Sequence, residues 1–255
     1  MLKLTSLASM TLLPLTVSFA MALTSSPLHA ASSVLIWPID PVINSHEKAT
    51  ALWLENKDSQ PIYMQIRVLG WQQKAGQEDY SNQSAIIASP PVATILPGKR
   101  QLIRLIKNTP VPAGQEQAFR VLIDEIPRKD PNEDAPMPSL NMGLIFQMRY
   151  SIPLFIYGEG LKSEDANNPA TFFPLNLGYK FIQDNGKTWL AIRNQGQTHA
   201  RISHVSLQNK NINSGLMGYV LPGNEMRFQV PASASGGQLT ASVNSHPKPI
   251  VIPHQ

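Results

Sequence analysis

Hydrophobic and polar residues alternate in short runs along most of this chain of 255 residues. Side chains two positions apart share one face of a β-strand, so each run predicts a strand with one apolar face. The clearest runs are residues 49–54, 62–68, 101–106, 118–126, 200–207 and 225–230. Beyond residue 31 no segment sustains the period of an amphipathic helix. About a dozen short strands at even spacing therefore predict an all-β fold built from β-sandwiches.

Turn and linker residues divide these strands into two groups. Asn185-Gly186 between two β-rich runs predicts a tight hairpin. Residues 158–168 combine glycine, asparagine and charged residues, which is typical of a linker. We therefore predict one domain over residues 32–157 and a second over residues 169–255, with the linker 158–168 between them.

The longest alternating run lies at the end of the first predicted domain, after a polar, proline-rich loop over residues 127–139. Its apolar positions are Leu140, Met142, Leu144, Phe146 and Met148. Such a strand either covers the core of its own domain or is offered to another protein. Alternation alone cannot settle the choice, because the opposite face is mostly polar, although periodicity favours its own core.

The first residues have the composition of a targeting segment. Lys3 precedes an uncharged stretch over residues 4–23, and small residues follow it. This order predicts a cleaved secretory signal peptide over residues 1–31. The alternative is a membrane anchor, but Pro14 and several hydroxyl side chains interrupt the apolar run. We expect an exported protein without stable membrane insertion.

Composition narrows the function classes. The chain has no cysteine, which excludes disulfides, thiol catalysis and cysteine-based metal sites. Without Lys3, 20 basic side chains stand against 17 acidic ones, a net charge of +3. This mild charge, without a dense basic run, predicts no nucleic-acid partner.

Catalytic patterns are missing from the sequence. The six histidines show no metal-ligand spacing, and we interpret them as surface residues. Neither a Gly-x-Ser-x-Gly motif nor a phosphate-binding glycine loop occurs. The four tryptophans could stack on sugars, as in a carbohydrate-binding module, but core or interface packing is commoner on strands. We predict a protein that is not an enzyme.

Several motifs occur in the order found in one known family. They are Val42-Ile43, Asn56, Ser89-Pro90-Pro91-Val92, Leu96-Pro97-Gly98, Leu102-Ile103-Arg104-Leu105, the run from Phe119 to Pro127, and Leu221-Pro222-Gly223. In these motifs the chain resembles the periplasmic pilus-assembly chaperones of the chaperone–usher pathway. The run from Phe119 to Pro127, which resembles the sixth-strand signature, is the most specific of them.

The resemblance implies two immunoglobulin-like β-sandwich domains set at an angle, with a cleft between them. It implies a periplasmic chaperone that binds pilus subunits by lending them its seventh strand and delivers them to an outer-membrane usher, without a cofactor. The donor side chains would be Leu140, Met142, Leu144, Phe146 and Met148. The exposed strand would also allow the free protein to associate with itself. The alternative function is a secreted two-domain fimbrial adhesin or tip subunit.

One part of the resemblance is missing. Common members hold the carboxylate at the subunit's C-terminus with an arginine on the first strand and a lysine on the seventh. The corresponding positions here are near Asp40 and Pro153, neither of which can bind a carboxylate. The chain therefore resembles the divergent, archaic branch. We predict that Arg120, helped by Arg149, replaces the usual pair, because a guanidinium can bind both carboxylate oxygens.

Overall fold

The computed structural model describes residues 34–127, 147–165, 167–234 and 236–255, and these residues are almost entirely β-strand and turn. The strands of the first half are β1 Val34–Trp37, β2 Val42–Ile43, β3 Ala49–Asn56, β4 Ile62–Lys74, β5 Gln77–Ser81, β6 Ile86–Ser89, β7 Val92–Ile95, β8 Arg100–Lys107, β9 Glu116–Glu125 and β10 Arg149–Tyr157. Those of the second half are β11 Leu177–Asp184, β12 Lys187–Asn194, β13 Ala200–Leu207, β14 Lys210–Val220, β15 Glu225–Val230, β16 Leu239–Val243 and β17 Ile250–Ile252. A 3₁₀ turn, Pro169–Thr171, precedes β11. Within the described ranges, no helix is long and apolar enough to cross a membrane.

Strands β1 to β10 form the first sandwich. One sheet has the order β1-β3-β8-β6, and the other has the order β2-β10-β9-β4-β5, with β7 also paired to β4. The inward positions predicted from alternation are buried between the sheets, as Val121 and Ile123 on β9 illustrate with no exposed surface. Each such side chain contributes about 1.5–3 kcal/mol by leaving water.

Strands β11 to β17 form the second sandwich, from the sheets β11-β12-β15 and β14-β13-β16-β17. It has a separate core in which Leu190, Ile202 and Leu239 are fully buried. The prediction of two β-sandwiches is thus confirmed. The described residues belong to one compact unit, Ala31–Gln255, and the predicted domain limits stay a prediction.

The same corner is built once in each sandwich. In the first, buried Asn56 donates its side-chain amide to the carbonyl oxygen of Ile95 at 2.9 Å, just before Leu96-Pro97-Gly98. In the second, Asn194 donates to the carbonyl of Val220 at 2.9 Å, just before Leu221-Pro222-Gly223. Both glycines have positive φ, 67° and 74°, which explains the residue type at the turn.

Among the other local predictions, one hairpin is confirmed and one strand is longer than predicted. The hairpin between β11 and β12 is confirmed, since Asn185 and Gly186 both have positive φ, as a type I′ turn requires. Pro153, a residue type that is uncommon inside a sheet, lies within β10 in unbroken register with β9. Strand β4 continues to Lys74, six residues beyond the predicted end, because Trp71 and Gln73 are buried by contacts outside the first core.

Candidate binding site

The two strands that carry the predicted site, β9 and β10, pair side by side. Their antiparallel register runs from Arg149 opposite Asp124 to Tyr157 opposite Glu116. On the other edge of β10, the short strand β2 covers only Phe155 and Ile156. No other described strand pairs with that edge, so residues 149–154 present an open strand edge within the described part of the chain. An open edge can accept a strand from another chain.

The predicted donor side chains fall mostly outside the described residues. Leu140, Met142, Leu144 and Phe146 lie in residues 128–146, which the structure does not describe. Met148 is described and is half-exposed just before β10, where its carbonyl accepts a bond from the Glu125 amide at 3.0 Å. Whether the predicted stripe faces its own core or a partner stays a prediction.

An aromatic cluster joins the two sandwiches. Its buried members are Trp71, Phe155, Tyr157, Leu161, Tyr219 and Leu221. Trp71 meets Tyr219 edge-on, with ring centroids 5.5 Å apart, and lies 5.7 Å from Phe155. These rings lie on the face of the β9–β10 sheet that points away from the first core. The two faces of β10 therefore pack into different clusters. Ile152, Leu154 and Ile156 lie in the core of the first sandwich, and Phe155 lies in the aromatic cluster.

Arg120 lies against this cluster. Its guanidinium carbon is 3.8 Å from the Trp71 ring centroid and 5.3 Å from that of Tyr219. The Nε atom is buried without a hydrogen-bond partner in the described residues. No described carboxylate lies within ion-pair distance of this side chain. The second sandwich thus supplies one of the two aromatic walls around a cation whose charge is not paired.

A third aromatic residue, Tyr80, also lies beside Arg120. Burial raises the pKa of the Tyr80 phenol, although the positive charge of Arg120 acts to lower it. Burial likewise raises the pKa of Tyr219, against the opposing effect of Arg201 and Arg120. Both phenols therefore stay neutral at physiological pH, and neither neutralises the guanidinium.

Arg149 has a different environment. Its Nε donates to Oδ1 of Asp124, while Arg67 Nη2 donates to Oδ2 of the same carboxylate at 2.7 Å. Burial acts to raise the pKa of Asp124, but the two guanidinium groups outweigh it and lower the pKa. Because Asp124 lies four residues from Arg120 along β9, the two arginines are about 13 Å apart. The structure does not bring the predicted pair together.

His199 corrects the prediction of surface histidines. That prediction holds for His46, His204 and His254, which are exposed. His199 is only 15 % exposed, and its Nδ1 lies 2.8 Å from Oε2 of the fully buried Glu116. Its ring stacks on Phe155 with centroids 3.4 Å apart. The pair Glu116–His199 therefore links β9 to the second sandwich, and no local spacing in the sequence signals it.

The position of the family's usual first-strand arginine is acidic here. Asp40 lines a pocket of about 260 Å³ with Tyr157, His199 and Arg201. Burial raises the pKa of Tyr157, and the carboxylates Glu116, Glu164 and Asp40 raise it further. Pro153, at the usual lysine position, pairs with Arg120 in the sheet. In the described ranges, no group of three His, Asp or Glu side chains could hold a metal ion.

The comparisons with known proteins agree with this architecture. The family profile of pili and flagellar-assembly chaperones, PapD N-terminal domain, matches residues 40–162. A chain in the CsuC–CsuE chaperone–tip adhesion subunit pre-assembly complex, from archaic chaperone–usher Csu pili of Acinetobacter baumannii, is 35% identical. That alignment covers 88% of this chain and 99% of the other, with a TM-score of 0.68. The search of curated proteins found no match.

More distant structures share the fold alone. A chain in the complex of Salmonella enterica SafA pilin with the SafB chaperone is 17% identical, with a TM-score of 0.62 over 86% of this chain and 96% of that one. The Escherichia coli chaperone DraB is 16% identical, with a TM-score of 0.59 over 87% and 98% of the two chains.

A two-sandwich chain with this degree of similarity is a member of a defined class. The chain belongs to the periplasmic pilus-assembly chaperones of the chaperone–usher pathway, close to the archaic branch. The immunoglobulin-like class predicted for both sandwiches is thereby confirmed. The family consists of chaperones, which is a non-catalytic class.

Proposed function

We propose that this protein binds and stabilises pilus subunits in the periplasm by donor-strand complementation and delivers them to an outer-membrane usher. The open edge of β10 carries the proposal, because it offers unpaired backbone groups next to the aromatic cluster. The similarity to a chain of a chaperone–subunit complex supports it. Export would use residues 1–31 as a cleaved signal peptide.

The proposed donor segment directly precedes β10 in the sequence. Leu140, Met142, Leu144, Phe146 and Met148 would fill the groove of an incomplete subunit sandwich, while the strand edge supplies main-chain hydrogen bonds. Five such side chains would contribute roughly 7–15 kcal/mol before the cost of ordering both partners. The two methionines would adapt this surface to related subunits.

Arg120 would bind the carboxylate at the C-terminus of the subunit. Support comes from its unpaired charge, its aromatic walls and the partnerless Nε. Arg149 is less suited, because Asp124 already accepts its hydrogen bond. We therefore assign the anchoring role to Arg120 and only a local structural role to Arg149.

Co-expression with a pilus subunit from the same bacterium tests the donor segment. Leu144→Asp and Phe146→Asp together should reduce the co-purified subunit by at least about 100-fold, since two buried contacts are replaced by charge. Gln147→Asp is the matched control, because alternation places Gln147 on the other face. Circular dichroism and thermal unfolding should be unchanged for the donor variant. If that variant instead unfolds by itself, the stripe belongs to its own core.

A further inference from the structure

Gln73 connects the two sandwiches by imitating a strand partner. Its Nε2 donates to the carbonyl oxygen of Tyr219 at 2.9 Å, and its Oε1 accepts from the amide of Leu221 at 2.8 Å. Two neighbouring strands exchange bonds of the same kind. The Gln73 side chain is buried, so these bonds are shielded from water and strongly directional.

A second contact lies at the tip of the same β4–β5 hairpin. The carbonyl of Gly76 accepts a bond from the Arg227 amide at 3.1 Å, and Gly76 forms a bridge with Met226 on β15. Gly76 has a φ of +80°, and a Cβ there would lie 2.6 Å from the Arg227 side chain. The hairpin is therefore fastened to the second sandwich at two points, one of which requires glycine.

The residue that Gln73 holds is also a wall of the arginine site. The backbone of Tyr219 is bound by Gln73, while its ring lies 5.3 Å from the Arg120 guanidinium carbon. Trp71, the other wall, is two residues before Gln73 on β4 and so shares its face of the strand. One short stretch of β4 thus supplies one wall and fixes the position of the other.

We propose that Gln73 is a positioning residue for carboxylate binding, and that both domains must be held together for the Arg120 site to exist. The proposal depends on the role given to Arg120 above. Aromatic walls on two sides limit rotation of the guanidinium and exclude water, which strengthens its bonds to a carboxylate. Loss of the Gln73 bonds would release Tyr219 and leave Arg120 with a single wall.

Two peptides that differ only in their C-terminal group measure the effect of Gln73 on carboxylate recognition. The probes are the last twelve residues of the pilus subunit that co-purifies with the wild-type protein, made as the free acid and as the terminal amide. The wild-type protein should prefer the acid by about 100-fold, as expected for a shielded charge pair. Gln73→Met, of similar size but without the amide, should reduce this preference to about 10-fold or less. A variant that is only less stable would keep the ratio.

Gln72→Met is the matched control, because Gln72 is the exposed neighbour on the opposite face. It should keep the full preference for the acid. Small-angle scattering of the free proteins is the ligand-free measurement, in which Gln73→Met should increase the radius of gyration and Gln72→Met should not. If Gln73→Met folds poorly, Gly76→Ala tests the second contact and should change both measurements in the same direction.

The outcomes separate the two proposals. An unchanged acid-to-amide ratio or unchanged scattering in Gln73→Met would overturn the positioning role. If the wild-type protein itself fails to distinguish acid from amide, the anchoring role of Arg120 is wrong. The scattering result then still decides whether Gln73 holds the two domains.

Discussion

The β9–β10 ribbon carries one arginine at its end, Arg149, and another at its middle, Arg120, and the two side chains have opposite surroundings. Arg149 is 65% exposed and shares the carboxylate of Asp124 with Arg67. Arg120 pairs with Pro153, four positions along the ladder, and has aromatic rings beside it and no carboxylate partner among the described residues. The sequence predicts Arg120 as the anchor and Arg149 as its helper.

The difference indicates that a candidate binding arginine is one without an internal carboxylate partner. An exposed ion pair such as Arg149–Asp124 contributes about 0–1 kcal/mol and has little charge left for a ligand. An arginine held by π-systems keeps its full charge and its fork of donors. We therefore expect removal of the Arg120 side chain, more than removal of Arg149, to weaken the binding of a partner.

Removal of each arginine gives the largest expected contrast. Arg120→Ala should weaken subunit binding by about 100-fold or more, because a shielded charge pair is lost. Arg149→Ala should change binding by less than about threefold, since its partner is Asp124. Isothermal titration with a purified subunit, or co-purification from cells, measures both. Equal losses for the two variants would show that the comparison is wrong.

A carboxylate placed beside Arg120 should make it resemble Arg149. Tyr80 is 46% exposed and lies next to Arg120, so Tyr80→Glu would supply an internal partner. Subunit affinity should fall by about 10-fold at low salt and recover partly in high salt, where screening weakens the new pair. Tyr80→Gln controls for loss of the ring. A similar loss in both variants would assign the effect to the ring instead.

The smallest expected effect concerns the contribution of Asp124, the carboxylate beside Arg149, to stability. Because the folded pKa of Asp124 is lowered, its contribution is present above its unfolded pKa of about 4 and is lost as the pH falls through the folded value. Asp124→Asn should therefore cost about 1 kcal/mol or less at pH 7 and less than that near pH 2. Urea unfolding at both pH values gives the difference. A penalty that is the same at both would exclude a role for the charge.

The alternation of apolar and polar residues predicted the features that depend on residues close together in the sequence. The inward positions Val121 and Ile123, and the turn at Asn185-Gly186, follow from a period of two and from turn chemistry. Arg120 is a candidate anchor because alternation places it on the outward face of β9. Its separation from Arg149 could have been estimated from the spacing of four residues along the paired strands.

Contacts between the two domains were not predictable in this way. Glu116 and His199 meet across 83 positions of sequence, and Gln73 and Tyr219 across 146. Periodicity places Gln73 on the face of Trp71, which was the one available signal, but it does not name the partner. A polar side chain on an apolar face is informative only once the opposite surface is known.

The aromatic cluster also has a practical consequence for work on separate parts of the molecule. A fragment that ends after Tyr157 would uncover Trp71 and Phe155, which are 3% and 1% exposed in the intact chain. An exposed apolar surface beside an open strand edge promotes aggregation during purification. Anyone who wants the first half alone should therefore redesign that surface with polar residues before expressing it.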